Sequence, residues 1–214
     1  MMSYLFTKQS LRSPNIACID LEGVLAPEMW PHVGLCAGIP ELFVTTREEP
    51  DYLQLMRRRI ALLRQHGLKL IDVQRIVATL PVLDGAVDFV LALRRDYRVL
   101  VVSDAFTELA AQFCTQLGEP ELQCHRLSVA SDGFIDGCHF LPRRGKEETA
   151  RAFQEAGHHI LAVGDAFNDL AMLHLADLGF LFRPSQQTIN AAGDLRVVGC
   201  YDEILRAIED SQVL

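Results

Sequence analysis

Long apolar runs are missing from this sequence: no stretch approaches the roughly 18 consecutive apolar residues needed to span a bilayer. The N-terminus also lacks the apolar centre of a signal peptide, since Leu5 and Phe6 stand alone among polar residues, so a cytoplasmic protein is expected. Basic residues are in deficit. Twenty Lys and Arg against 28 Asp and Glu give a formal charge of −8. That balance argues against nucleic acid or an anionic membrane as a partner, because both select a basic face. A small anionic substrate stays open, since a divalent cation and a few local donors can reverse the field inside a pocket. The six cysteines (Cys18, Cys36, Cys114, Cys124, Cys138 and Cys200) contain no C-x-x-C pair and read as reduced thiols. Cys124-His125 and Cys138-His139 are adjacent pairs, and neighbours on a strand point to opposite faces, so they do not suggest zinc.

What is present suits a globular chain. Half of the 214 residues are hydrophobic and 22% are charged, enough to build a core without disulfides or a metal staple. Residues 16–19, 99–102 and 160–163 are short aliphatic runs without alternation, the pattern of parallel strands buried on both faces. Residues 178–182 make a fourth. Between them lie helical stripes: Phe106, Leu109, Ala110, Phe113, Cys114 and Leu117, stopped by Gly118, and Val87, Val90 and Leu91 after Asp84 as N-cap. Ile204, Leu205 and Ile208 suggest a closing helix. Asp132-Gly133 and Asp136-Gly137 are turn signals for a small hairpin.

Strands alternating with helices predict an α/β fold, a doubly wound, Rossmann-like parallel sheet that binds ligands at the carboxyl ends of its strands. Residues 29–81 interrupt the alternation. They hold no strand-like run, but carry Leu53, Met56, Ile60 and Leu63 at helical spacing, then Leu70, Val73, Ile76 and Val77. The expected organisation is a loose extension over 1–15, an α/β core from 16–28 and 82–214, and a small helical cap over 29–81, inserted after the first strand and placed like a lid.

The acids gather at the strand ends. Asp20 opens Asp20-Leu21-Glu22-Gly23-Val24 after the first run, where a carboxylate can serve as nucleophile or metal ligand. Ser103 and Asp104 follow the second run, with a hydroxyl and neighbouring N–H groups able to hold an anionic oxygen at a helix starting near Ala105. Lys146 precedes another helix and offers a cation. Gly164-Asp165-Ala166-Phe167-Asn168-Asp169 puts two carboxylates and an amide at the tip of a buried strand, a set of hard oxygens suited to magnesium. Taken singly, these are ordinary devices: a turn aspartate, a helix cap, a surface lysine and an acidic turn.

In this order, Asp20, Ser103, Lys146 and Asp165 with Asp169 resemble the four motifs of the haloacid dehalogenase superfamily of phosphohydrolases. The helical insertion after the first motif resembles its phosphoserine phosphatase branch, and in particular the bifunctional phosphoserine phosphatase/homoserine phosphotransferases. The likeness includes Asp20-Leu21-Glu22-Gly23-Val24, Pro27-Glu28-Met29-Trp30, His66-Gly67-Leu68-Lys69-Leu70 and Leu122-Gln123-Cys124-His125. It implies that Asp20 becomes a phosphoaspartate. It implies Mg2+ held by Asp20, the carbonyl of Glu22, Asp165 and Asp169, with Ser103 and Lys146 neutralising phosphoryl oxygens and Asn168 supporting them. Glu22 stands where the superfamily usually has an aspartate as general acid and base, which makes transfer to an alcohol more credible. Glu28 and Arg59 match the positions that hold a substrate's ammonium and carboxylate. The expected substrate is a small phosphorylated amino acid. A phosphatase of another small metabolite and a non-catalytic phosphate-accepting module are the other readings.

Overall fold

The computed structural model describes residues 15–46, 48–141 and 145–212. Residues 1–14, most of the expected extension, lie outside the described residues, and the first strand begins at Asn15.

Among the described residues seven strands form one sheet in the order β4-β3-β2-β1-β5-β6-β7. These are β1 (Asn15–Ile19), β2 (Tyr97–Phe106), β3 (Glu121–Val129), β4 (Ile135–His139), β5 (Ile160–Gly164), β6 (Leu178–Phe182) and β7 (Arg196–Val198). All neighbours run parallel except β3 and β4, the hairpin. β1 is central, and Ile16, Ala17, Cys18 and Ile19 are fully buried, as a strand with helices on both faces must be. One apolar cluster includes Ala17, Ile19, Val101 and Val163, and a second, on the other side, includes Ile16, Cys18, Val102 and Ala162.

Register brings the acids together. Ile19 pairs with Val101 on one side and with Val163 on the other, so the chain leaves β1 and β5 at the same edge. Asp20 and Asp165 emerge there side by side, and the upper part of β2, with Ser103 and Asp104, lies next to them.

Between β1 and β2 come α1 (Met29–Ala37), a 3-10 turn (Pro40–Phe43), α2 (Tyr52–Gln65), α3 (Leu70–Val77) and α4 (Ala86–Leu93). Thus the described residues of 29–81 contain helices and no strand. The Asp51 carboxylate caps α2 by accepting the Gln54 N–H. The insertion touches the core through Gln74, whose amide donates to the Glu108 carbonyl, and through the Leu70 N–H to the Gly133 carbonyl. After β2 come α5 (Thr107–Gln116), α6 (Lys146–Glu155), α7 (Leu170–Leu175), α8 (Gln186–Ala191) and α9 (Tyr201–Gln212). Tyr201 stacks between Phe89 of α4 and Phe182 of β6 and donates its hydroxyl to the Val24 carbonyl, so the last helix braces the loop after β1.

Three local expectations are corrected. β2 runs through Ser103, Asp104 and Phe106, and the helix starts at Thr107 instead of near Ala105. The Ser103 hydroxyl takes the Ala105 N–H, which holds these residues in extended backbone. Asp136-Gly137 lies within β4, with Gly137 opposite Ser128; a Cβ there would meet the Ser128 hydroxyl at 2.7 Å, so glycine serves close strand approach and not a turn. The cap of α4 is Gly85, in left-handed backbone, and not Asp84.

Candidate active site

At the carboxyl edge of β1 and β5, Lys146 forms the centre of an ionic cluster. It starts α6, is only 2% exposed, and places Nζ 2.7 Å from Asp20 Oδ1 and 2.7 Å from Asp169 Oδ1. Asp104 Oδ2 stands 4.0 Å away. Burial opposes the ammonium, but Asp169, Asp20 and Asp104 outweigh it and hold the Lys146 pKa well above the ordinary value. Lys146 is therefore a fixed cation rather than the surface lysine that its neighbours in sequence suggest.

The carboxylates are fixed by backbone donors. Asp20 Oδ1 accepts the Leu21 N–H at 2.7 Å. Asp169 Oδ2 accepts the N–H groups of Asp165 and Ala166 at 3.0 and 3.1 Å, closing the loop that carries both acids. Two glycines permit this crowding. A Cβ on Gly164 would sit 2.4 Å from the Asp169 Cβ, and one on Gly23, at φ +79°, would sit 2.4 Å from Asp165 Oδ2.

Asp20, Asp165 and Asp169 each bring a ligand oxygen to within 4.8 Å of the others. Their charge exceeds what Lys146 can neutralise. Burial, and then Asp169 and Glu28, push Asp165 up to about 7. Asp20 is also raised, by burial, with Lys146 opposing and Asp169 and Asp165 adding to it. A cluster of hard oxygens short of positive charge fits a small divalent cation.

Around the cluster, Glu22 turns its carboxylate to the start of the insertion, where Oε1 accepts the Met29 N–H at 2.7 Å. Burial, and then the Glu28 carboxylate, push Glu22 up to about 8 against that hydrogen bond. Ser103 is buried. The Asn168 amide donates to Asp104 Oδ2. Arg59, on α2, is 5% exposed; its guanidinium lies 4.8 Å from the Trp30 ring centroid and donates to the Val44 carbonyl at 2.9 Å. Its buried Nε has no hydrogen-bond partner among the described residues. Glu28 is exposed at the N-cap of α1, close enough for its charge to act on Glu22, Asp165 and Arg59.

The structure thus gathers Asp20, Lys146, Asp165 and Asp169 in one cluster, with Asp104 and Asn168 joined to it and Glu22, Glu28 and Arg59 on the side of the insertion. Tyr52 escaped the sequence reading. Its hydroxyl donates to the Asp104 carbonyl at 2.7 Å, tying α2 to β2. The available signal was spacing: Tyr52, Met56, Arg59 and Leu63 fall at i, i+4, i+7 and i+11, and the buried face of α2 follows that stripe while Leu53 is 39% exposed.

Fold and cluster together define a hydrolase with its site at the carboxyl edge of a parallel sheet. The family model of the haloacid dehalogenase-like hydrolases matches residues 16–177, and the chain belongs to that family. Among its relatives, phosphoserine phosphatase ThrH of Pseudomonas aeruginosa is 39% identical over 192 residues, covering 90% of this chain and 94% of its own. A phosphoserine phosphatase of Pseudomonas syringae pv. tomato is 40% identical over 190 residues, covering 89% and 80%. The fold is shared with a solved phospho-aspartyl intermediate analogue of phosphoserine phosphatase, at a TM-score of 0.75 and 22% identity, covering 91% of this chain and 98% of that one.

Proposed function

We propose that this enzyme hydrolyses phosphoserine through a phosphoaspartate on Asp20, with Mg2+ as cofactor, and that it also passes the phosphoryl group to homoserine. The observation that carries the reading is the buried Lys146 held between Asp20 and Asp169 beside Asp165, the arrangement a transferring phosphoryl group requires: a nucleophile, a fixed cation and oxygens for a metal. Asp20, Asp165, Asp169 and the Glu22 carbonyl would hold the ion, which supplies charge neutralisation at the phosphoryl oxygens. The names of the two relatives support phosphoserine as the substrate.

Asp20 Oδ1 is engaged by Leu21 and Lys146, which leaves Oδ2 to form the bond to phosphorus as the bond to the serine oxygen breaks. Glu22, raised to about 8, carries the proton that this oxygen takes up. In the second half Glu22 accepts a proton from water or from an alcohol, whose oxygen then takes the phosphoryl group from Asp20. Ser103 and Lys146 stabilise the phosphoryl oxygens, with Asp104 and Asn168 behind them. The insertion over 29–81 acts as the cap that selects the amino acid. Glu28 meets the ammonium, and Arg59, with an unengaged Nε, meets the carboxylate.

The direct test incubates the enzyme with phosphoserine, magnesium and homoserine and follows phosphorus by NMR. Free phosphate together with phosphohomoserine is expected. Phosphate alone would leave a plain phosphatase, and no turnover of phosphoserine would refute the substrate. Arg59→Ala tests the cap. Losing a charge-assisted pair costs about 1.5 to 3 kcal/mol, so KM for phosphoserine should rise roughly ten- to a hundred-fold while an aryl phosphate lacking a carboxylate is little affected. Equal damage to both substrates would place Arg59 in the fold or the chemistry instead.

A further inference from the structure

The proposed mechanism makes no use of His125. This residue lies on β3 and is 5% exposed, with its ring among Phe140, Phe106 and Tyr52 at centroid distances of 4.9, 5.7 and 5.9 Å. Both ring nitrogens face polar groups. Leu141 presents its N–H and its carbonyl oxygen, each 2.9 Å from Nδ1, and Nε2 stands 3.6 Å from Asp104 Oδ1. Burial pushes the imidazole below its ordinary pKa, so the ring is neutral near pH 7 and carries one proton. The Leu141 N–H directs its hydrogen at Nδ1, which takes it with its lone pair. The proton therefore sits on Nε2, and Nδ1 accepts the Leu141 N–H.

Asp104 is the second half of the observation. Its side chain is 37% exposed and carries negative charge beside a pocket meant for a phosphoryl group. Left free, it could turn toward the phosphoryl oxygens and repel them, or draw Lys146 away from Asp20. It is held at three points instead: Oδ1 faces His125, Oδ2 takes the Asn168 amide 4.0 Å from Lys146, and its carbonyl takes the Tyr52 hydroxyl. We propose that His125 is a positioning residue for phosphoryl transfer, its Nε2–H attracting one oxygen of Asp104 across 3.6 Å so that the other stays against Asn168 and Lys146. This rests on the phosphoryl-transfer reading of the site and deepens it, since the link runs from the β4 end of the sheet to the cation that serves Asp20.

A purely structural histidine would fill the aromatic cage and do no more. His125→Phe fills the cage and removes the donor, whereas His125→Gln keeps an N–H near the Nε2 position. Phosphate release from phosphoserine and from p-nitrophenyl phosphate is measured for both variants, for Asp104→Asn, and for Asp104→Asn combined with each. His125→Phe should lower kcat about ten-fold on both esters alike, the low end of what residues supporting a site's direct contacts contribute. His125→Gln should recover most of that loss. In the Asp104→Asn background, the change at position 125 should cost nothing further, because the group it acts through is gone. Parent-like kcat in His125→Phe, or a loss that adds in full to that of Asp104→Asn, would overturn the inference. If the Phe variant fails to fold, the Gln variant and its Asp104→Asn combination decide on the same criterion of additivity. Failure of the underlying reading looks different: the parent enzyme itself would release no phosphate from either ester, and the role of His125 would fall with it.

Discussion

Asp20→Asn should fold like the parent and lose about a thousand-fold or more in phosphate release, the scale on which removal of a nucleophile acts. The amide has the shape of the carboxylate and can still accept the Leu21 N–H through its oxygen, so the loop after β1 keeps its anchor. An amide oxygen does not displace an alkoxide from phosphorus, and the change also removes one of the two carboxylates that hold Lys146 at 2.7 Å. Circular dichroism establishes the fold, and single-turnover assays with phosphoserine establish the chemistry. Retained turnover would remove Asp20 from the nucleophile's role and with it the covalent route.

The second large effect concerns the cation. Chelation should bring activity to background and magnesium should restore it, because Asp20, Asp165 and Asp169 would otherwise confront the phosphoryl group with three carboxylates and a single lysine. Asp165→Ala should raise the magnesium concentration for half-activity by about a hundred-fold, or leave the enzyme inert. Asp165 suits this test because the other two acids are tied to Lys146, while its own side chain lies against Gly23. Full activity in chelator would refute the metal assignment. Activity in Asp165→Ala at the parent's magnesium requirement would confine the ion to the remaining ligands.

The sheet was legible because its strands are contiguous and buried. Residues 16–19, 99–102, 160–163 and 178–182 all lie in strands. The upper part of β2 was not, since Ser103 and Asp104 look like a helix start, and only the hydroxyl that takes the Ala105 N–H shows why the chain stays extended. β7 and α8, of three and six residues, offered too few positions for any period to show. At the site, order along the chain named the acids, but the environment of Lys146 is a tertiary fact: nothing near it in sequence shows that Asp20 and Asp169 will enclose it. Tyr52 and His125 were harder still. Each reaches Asp104 from another element, and neither the α2 stripe that includes Tyr52 nor the Leu122-Gln123-Cys124-His125 stretch shows what its polar atom will meet.

The hydrogen bond from the Met29 N–H joins Glu22, the proton carrier proposed above, to the first residue of α1. Glu22 lies in the tight loop after β1, where the Leu25 and Ala26 N–H groups both turn back to the Leu21 carbonyl, and Met29 begins the helical insertion. A swing of the insertion that moved Met29 would pull on this contact and draw the Glu22 carboxylate with it, and the acid would return to its place only as the entrance narrowed. In the proposed mechanism, opening and protonation would then exclude each other in time. A phosphorylated Asp20 exposed to bulk water would meet it without a base in place, and the energy-rich acyl phosphate would persist until an acceptor had been enclosed.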